Sequence, residues 1–147
     1  IPIKLLMIGR GRNYTNLKNF INENKLQKNV ILKKFVNNPY PFLKISDVFI
    51  LSSNYEGLPN VLLEAQYFKK IIISTKCPTG PKEILLNGKA GIFFKMNDYK
   101  DLSKKIIYVY KNKNKLKKIT KIGFANLNRF NEIKNLNLYY NVISKYL

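Results

Sequence analysis

Two glutamates stand close together in a sequence that has few carboxylates. The chain has 147 residues and only 8 Asp and Glu, yet seven residues alone separate Glu56 from Glu64. Ionised carboxylates accept hydrogen bonds and can each hold a pair of hydroxyl groups. The pair therefore points to recognition of a ligand rich in hydroxyls, unless Glu64 is a structural acid and Glu56 an ordinary loop residue.

The segment around these glutamates predicts a loop followed by a helix. Residues 53–60 contain Gly57 and Pro59, and residues 61–68 have helical spacing, with Asn60 in position to act as the N-cap. Glu64 then lies one turn into the helix, on the side of Asn60 and away from the apolar stripe. The backbone N–H groups at a helix start favour an anion. Hydroxyls and phosphate together describe a nucleotide sugar.

A second candidate is Gly9-Arg10-Gly11, which follows a predicted strand and precedes a predicted helix. Glycines allow the backbone to approach a phosphate closely. The third glycine of a dinucleotide-binding loop would fall on Tyr14, so the pattern disfavours a dinucleotide site. A tight turn without any ligand explains the two glycines equally well.

Composition excludes several classes of chemistry. The sequence has no histidine, which excludes histidine-based triads and histidine metal sites, and its single cysteine, Cys77, cannot form an internal disulfide. We expect a reducing, cytoplasmic compartment, because the sequence has one cysteine and its first residues do not show the pattern of a signal peptide. The net charge of +19 favours anionic partners, although a general lysine bias of the composition explains it as well.

Short apolar runs alternate with helical patterns, which predicts an α/β fold: a Rossmann-like parallel sheet flanked by helices, with a helical C-terminal tail. The predicted strands are 3–8, 30–35, 47–52, 71–75 and 91–94, and the predicted helices are 14–26, 41–45, 61–68, 82–86 and a long stretch from 99, interrupted near Gly123. The loops 9–12, 52–60 and 76–81 should lie at one edge of the sheet. We expect one domain, with a core over 1–105 and a tail over 106–147.

The predicted tail alternates lysines with apolar residues between 104 and 122. One interpretation is a helix that packs on the sheet and exposes a basic outer face. The other is a basic amphipathic helix that lies on an anionic membrane surface.

Residues 3–105 resemble the C-terminal, donor-binding domain of the retaining GT-B glycosyltransferases of family four. Glu56 and Glu64 match the E-x7-E motif of that family within an EGLPNVLLEA context, and residues 8–11 match its first glycine loop. Residues 77–85 resemble the variant of members that use UDP-sugars for bacterial surface polysaccharides.

The resemblance implies that Glu64 binds the ribose hydroxyls and that Glu56, the candidate catalytic residue, contacts the donor sugar. It also implies a set of further donor-binding positions in the loops, namely Gly9, Arg10, Gly11, Val36, Gly57, Leu58, Pro59, Asn60, Thr79 and Gly80. The donor is a UDP-sugar, the acceptor is a glycan or a lipid-linked glycan, and neither a metal nor another cofactor is expected.

In this family an N-terminal domain binds the acceptor, and we expect it to be missing from this chain. The isolated chain should therefore bind a donor and transfer little. Its expected location is the cytoplasm, with the inner face of the cytoplasmic membrane as an alternative. A nucleotide-binding remnant without catalysis and, less favoured, a basic nucleic-acid-binding domain remain as other hypotheses; no nucleic acid is expected as a partner of a glycosyltransferase.

Overall fold

Five short strands alternate with helices along the chain, in the order that the sequence predicts. The computed structural model describes residues 1–146. All described strand pairs are parallel, and the predicted fold class, a Rossmann-like α/β fold, is confirmed. The chain divides into two compact units, residues 1–44 and the residues from 45 onward.

The first unit contains a two-stranded sheet. Its elements are β1 (Leu5–Ile8), α1 (Tyr14–Glu23), β2 (Val30–Lys33) and most of α2 (Tyr40–Ile45). The two strands pair from Leu5 opposite Val30 onward. Ile21 of α1 is buried, whereas β1 and β2 hold no buried residue. A continuous apolar run such as 3–8 is typical of a strand covered on both faces, but its side chains are half-buried or exposed, because apolarity alone does not show how many layers cover a strand.

The second unit is built on a three-stranded parallel sheet in the order β3-β4-β5. Its elements are β3 (Val48–Leu51), α3 (Asn60–Tyr67), β4 (Ile71–Thr75), α4 (Pro81–Ile84), β5 (Ile92–Phe94), α5 (Tyr99–Asn126) and α6 (Glu132–Ile143), with 3-10 turns at Leu86–Gly88 and Leu127–Phe130. Every residue of the central strand β4 is buried. This pattern fits the continuous apolar composition expected of a strand between two layers.

The core of the second unit joins this sheet to helix α5. Ile71 and Ile73 of β4 and Phe94 of β5 form one buried cluster with Val109 and Leu116 of α5. The lysine-rich helix is therefore part of the core, with its lysines on the outer face. The structure favours the first interpretation of the residues between 104 and 122, a helix packed on the sheet.

Helix α5 continues through Gly123, so the interruption predicted near this glycine comes three residues later, after Asn126. A Cβ atom at Gly123 would meet Cγ of Gln66 at 3.1 Å, which shows that this glycine permits close packing of α5 on α3. The helix is instead distorted at Asn112 (φ −121°, ψ 18°), whose side-chain amide donates to the Tyr108 carbonyl at 2.9 Å. It ends at Asn126, where a 3-10 turn begins.

Helix α6 contributes no buried residue. Its exposed apolar side chains include Ile133, Leu136, Leu138, Tyr139, Tyr140 and Val142. Within residues 1–146, no helix combines the length and the apolar composition needed to cross a membrane.

Candidate functional site

Glu56 and Glu64 flank the start of α3, as the sequence predicts. Glu56 lies in the loop that follows β3, and Glu64 lies in the helix; both residues are half-buried. The buried face of α3 consists of Leu62, Ala65 and Gln66. At 100° per residue, Glu64 is on the opposite face from these three, and neither glutamate is sealed in the apolar core.

The predicted N-cap role of Asn60 is wrong. The cap is Pro59, with φ −72° and ψ 99°, and no side chain caps this helix. The carbonyl of Pro59 closes the first turn by accepting a hydrogen bond from the Leu62 amide at 2.9 Å. Asn60 is the first helical residue and is exposed, so its side chain is not committed to a capping bond.

Two threonine hydroxyls bind the loop that carries Glu56 to the end of β4 and to the segment that follows it. Thr75, the last residue of β4, donates to the Ser53 carbonyl at 2.6 Å. Thr79 donates to the Glu56 carbonyl at 2.5 Å. Since β3 and β4 are parallel neighbours, both loops leave from the same edge of the sheet. The prediction that loops 52–60 and 76–81 lie at one edge is confirmed.

Gly80 brings the same two loops into backbone contact. Its φ of +69° is in the left-handed region, which side chains disfavour. A Cβ atom at Gly80 would overlap the Gly57 carbonyl oxygen and lie 2.7 Å from Cδ of Pro59. A glycine is therefore required at this position by both conformation and space.

The first unit holds the remaining candidates. The Arg10 guanidinium lies over the Phe35 ring, 5.6 Å from its centroid, and the Gly9 amide donates to the Lys33 carbonyl at 3.1 Å. Arg10 is exposed and Val36 is half-buried. The glycine loop after β1 and the segment after β2 are thus neighbours, as expected of loops that leave adjacent parallel strands. Gly11 is exposed, with open space around its Cα.

A buried polar network that the sequence does not predict lies behind α3. The side-chain amides of Gln66 and Asn126 both donate to the Ile84 carbonyl, at 2.9 and 3.0 Å. Oε1 of Gln66 is buried without a hydrogen-bond partner in the described part of the chain. The network joins α3, α4 and α5 at one carbonyl. Its one sign in the sequence is Gln66, a polar residue next to Ala65 in an otherwise apolar stripe.

Thr75 was also missed, although its type and place were visible at the end of an Ile-Ile-Ile-Ser-Thr run. At the other end of β4, the Lys70 ammonium donates to the Ser46 carbonyl at 2.8 Å. Desolvation lowers the pKa of Lys70, against the raising effect of Asp47. Lys70 lies at the amino end of β4, so its pKa shift does not concern the opposite edge of the sheet, which carries Glu56.

Metal ligands are sparse in the described chain. Among residues 1–146, no three His, Cys, Asp or Glu side chains form a group that could hold a metal ion. The buried Cys77 thiol lies 3.8 Å from the Thr75 hydroxyl and is a packing residue of the loop after β4.

Comparison with known families assigns the chain. Residues 1–126 match the family described as glycosyl transferases group 1. The chain belongs to this family. Among curated relatives of this group 1 glycosyltransferase chain, a glycosyltransferase of Methanocaldococcus jannaschii is 46% identical over 82 residues, which cover 56% of this chain and 20% of the relative. The capsular polysaccharide biosynthesis glycosyltransferase CapM of Staphylococcus aureus is 32% identical over 108 residues, 71% of this chain and 27% of the relative.

Solved structures agree on the fold of this glycosyltransferase chain. The crystal structure of TarM matches with a TM-score of 0.84 at 21% identity, over 94% of this chain and 28% of TarM. The HepE protein of Anabaena, crystallised with UDP-glucose, matches with a TM-score of 0.85 at 19% identity, over 97% of this chain and 41% of HepE. The chain spans about a fifth to a quarter of the two curated relatives described above.

Proposed function

We propose that the chain is the donor-binding half of a retaining glycosyltransferase that takes a hexosyl or N-acetylhexosaminyl group from a UDP-sugar. The observation that carries the proposal is the junction of the two loops at the carboxyl edge of β3 and β4. There the Thr79 hydroxyl and Gly80 hold the segment around Glu56 in place, next to the helix that carries Glu64. Parallel α/β sheets bind ligands at this edge.

The two carboxylates have separate roles in this proposal. Glu64, on the solvent-facing side of α3, accepts hydrogen bonds from the two ribose hydroxyls of the nucleotide. Glu56, half-buried in the loop, contacts hydroxyls of the donor sugar and so fixes the face that the sugar presents. We assign the catalytic role to Glu56 because it is the carboxylate that touches the transferred group.

The diphosphate is the leaving group, and its negative charge must be stabilised. We place it against the backbone of Gly57, Leu58, Pro59 and Asn60, where α3 begins, because the N–H groups and the dipole of a helix start favour negative charge. The positive net charge of the chain acts in the same direction. With these groups available, we propose a reaction that uses no metal ion.

We assign the base and the sugar of the donor to further loop residues. In the first unit, Gly9, Arg10 and Gly11 together with Val36 border the base, which is supported by the contact of Arg10 with Phe35 next to Val36. In the second unit, the turn of Thr79 and Gly80 lines the donor site behind the Glu56 loop.

The acceptor is proposed from what is known of the relatives. Their names include capsular polysaccharide biosynthesis in Staphylococcus aureus and transfer to a diphospho-undecaprenol-linked sugar in Campylobacter jejuni. We propose a glycan or lipid-linked acceptor of surface polysaccharide or lipopolysaccharide synthesis, used at the cytoplasmic face of the membrane. The chain spans only part of these relatives, and we propose that acceptor binding and transfer take place in the whole protein.

The proposal is tested by calorimetric titration of UDP, GDP and their sugars into the wild-type chain and Glu64→Ala. We expect UDP compounds to bind more tightly than GDP compounds. Hydrogen bonds to a charged group contribute about 1.5–3 kcal/mol, so Glu64→Ala should weaken UDP binding at least about tenfold. Glu132→Ala, which removes an exposed carboxylate of α6, is the matched control and should bind as the wild type does.

Equal UDP binding by wild type and Glu64→Ala would contradict the proposal. The high net charge keeps a basic nucleic-acid-binding domain as a second candidate. That candidate predicts binding to an oligonucleotide with a steep loss as salt is added, and no effect of Glu64→Ala. A chain that binds UDP through Glu64, but lacks transfer even when joined to an acceptor domain, would be a nucleotide-binding remnant.

A further inference from the structure

The Glu56 loop is held by hydroxyl groups that lie outside it. Thr75 holds the Ser53 carbonyl, at the beginning of the loop, and Thr79 holds the carbonyl of Glu56 itself. Thr75 is 1% exposed, so its bond is part of the buried structure, whereas Thr79 is exposed. The exposed hydrogen bond, from Thr79, therefore acts on the backbone of Glu56.

The proton of the Thr79 hydroxyl is already used. A threonine hydroxyl has one proton to donate and two lone pairs with which to accept. In this structure the donor function is directed at the Glu56 carbonyl, so towards a ligand the same oxygen can only accept. Thr79 therefore cannot donate to a phosphate oxygen without releasing Glu56.

Gly80, the residue after Thr79, restricts the conformational freedom of the turn that these two residues form. Gly80 packs its Cα against the Gly57 carbonyl and Pro59. The 79–80 turn is thus fixed against residues 56–57 by one hydrogen bond and one close backbone contact. A shift of the turn must move the Glu56 backbone with it.

We propose that Thr79 is a positioning residue for the sugar half of the site, acting through the backbone of Glu56. This inference rests on the proposed function, in which Glu56 contacts the donor sugar and Glu64 the ribose. Loss of the Thr79 hydroxyl lets the Glu56 carboxylate leave the sugar while Glu64 still holds the nucleotide. Thr79 thereby sets the binding of the sugar relative to that of the nucleotide.

The test compares UDP with UDP-glucose and UDP-N-acetylglucosamine by calorimetry. Thr79→Val replaces the hydroxyl by a methyl group of similar size, and Thr79→Ser restores the hydroxyl. We expect Thr79→Val to keep the Kd for UDP within about twofold and to weaken at least one of the two UDP-sugars about threefold to tenfold, the range for one lost hydrogen bond. Thr79→Ser should return to the wild-type ratio.

Thr120→Val is the matched control, since the Thr120 hydroxyl donates to the Lys117 carbonyl within α5. It should change none of the affinities. Equal weakening of UDP and of both UDP-sugars by Thr79→Val would overturn the inference in favour of a general structural role. Unchanged binding of both UDP-sugars would overturn it as well.

Hydrogen exchange in the ligand-free chain separates this inference from the proposed function. We expect Thr79→Val to speed exchange of the amides of residues 54–58 and to leave those of β4 unchanged. If wild type fails to bind UDP, the proposed function is wrong, and the exchange still decides whether Thr79 positions Glu56. Unchanged exchange in residues 54–58 would show that Thr79 does not.

Discussion

At the scale of single residues, the site depends on small side chains that bring backbones together. Gly80 allows the loop after β4 to touch the Gly57 carbonyl, and Thr79 adds a hydrogen bond beside it. Neither residue carries a charge. The glutamates supply the chemistry that we propose, and these neutral residues determine where Glu56 lies.

Replacement of Gly80 by alanine should therefore be costly. The new Cβ would sit in the left-handed region and overlap the Gly57 carbonyl, and strain of this kind costs about 1–3 kcal/mol. We expect Gly80→Ala to lower the free energy of unfolding in urea by at least that amount. Gly57→Ala is the control: its Cβ meets nothing within 4 Å, so its cost should be within about 0.5 kcal/mol. Equal stability of the two variants would show that the loops do not make this contact.

The sequence predicted the glutamates, and the family resemblance also pointed to Thr79 and Gly80, but neither predicted the hydrogen bonds that hold the loop. Glu56 and Glu64 were recognisable from their type and spacing, and their place at the start of α3 needs only local structure. The Thr75 bond and the Gln66 bond to Ile84 join residues that are 22 and 18 positions apart. Their partners are backbone carbonyls, which look the same at every residue, so no pattern of residue types reveals them.

At the scale of the elements, the largest difference between sequence and structure concerns α5. The sequence predicts that the lysine-rich segment belongs to a helical tail. Its apolar positions fill the core beneath β4, and its last turn packs on α3 through Gly123. The sequence predicted the alternation of strands and helices because apolar periodicity is local. It misplaced the end of α5 because a glycine in a helix indicates either a break or a close contact, and only the packed structure distinguishes them.

Leucine truncations measure the contribution of α5 to the core. Leu116 in α5 is 8% exposed, whereas Leu136 in α6 is 61% exposed. We expect Leu116→Ala to cost about 2–5 kcal/mol in urea unfolding, as buried leucines do, and Leu136→Ala to cost less than about 0.5 kcal/mol. If Leu116→Ala proves as harmless as Leu136→Ala, the helix does not pack on the sheet in solution.

At the scale of the whole molecule, high charge and an uncovered apolar helix act in opposite directions. The net charge of +19 makes copies of the chain repel each other, while α6 exposes a series of large apolar side chains. Salt weakens the repulsion because the screening length falls to about 3 Å at 1 M. It does not weaken apolar contact.

We expect the chain to be monomeric at low ionic strength and to self-associate as sodium chloride is added, as followed by sedimentation velocity. A double variant, Leu136→Lys with Tyr140→Lys, places two charges on α6 and should stay monomeric at all salt concentrations. The control pair Lys117→Gln and Lys118→Gln, on α5, lowers the charge without changing α6 and should associate at lower salt than wild type. A wild-type chain that remains monomeric throughout would contradict this account.

The close backbone contact between Gly57 and Gly80 also limits how the protein can be engineered. A transplant of residues 52–60 from another glycosyltransferase would bring a foreign backbone against a turn shaped for the resident one. Chimeras meant to accept a different sugar should therefore exchange residues 52–60 and 75–81 as one cassette.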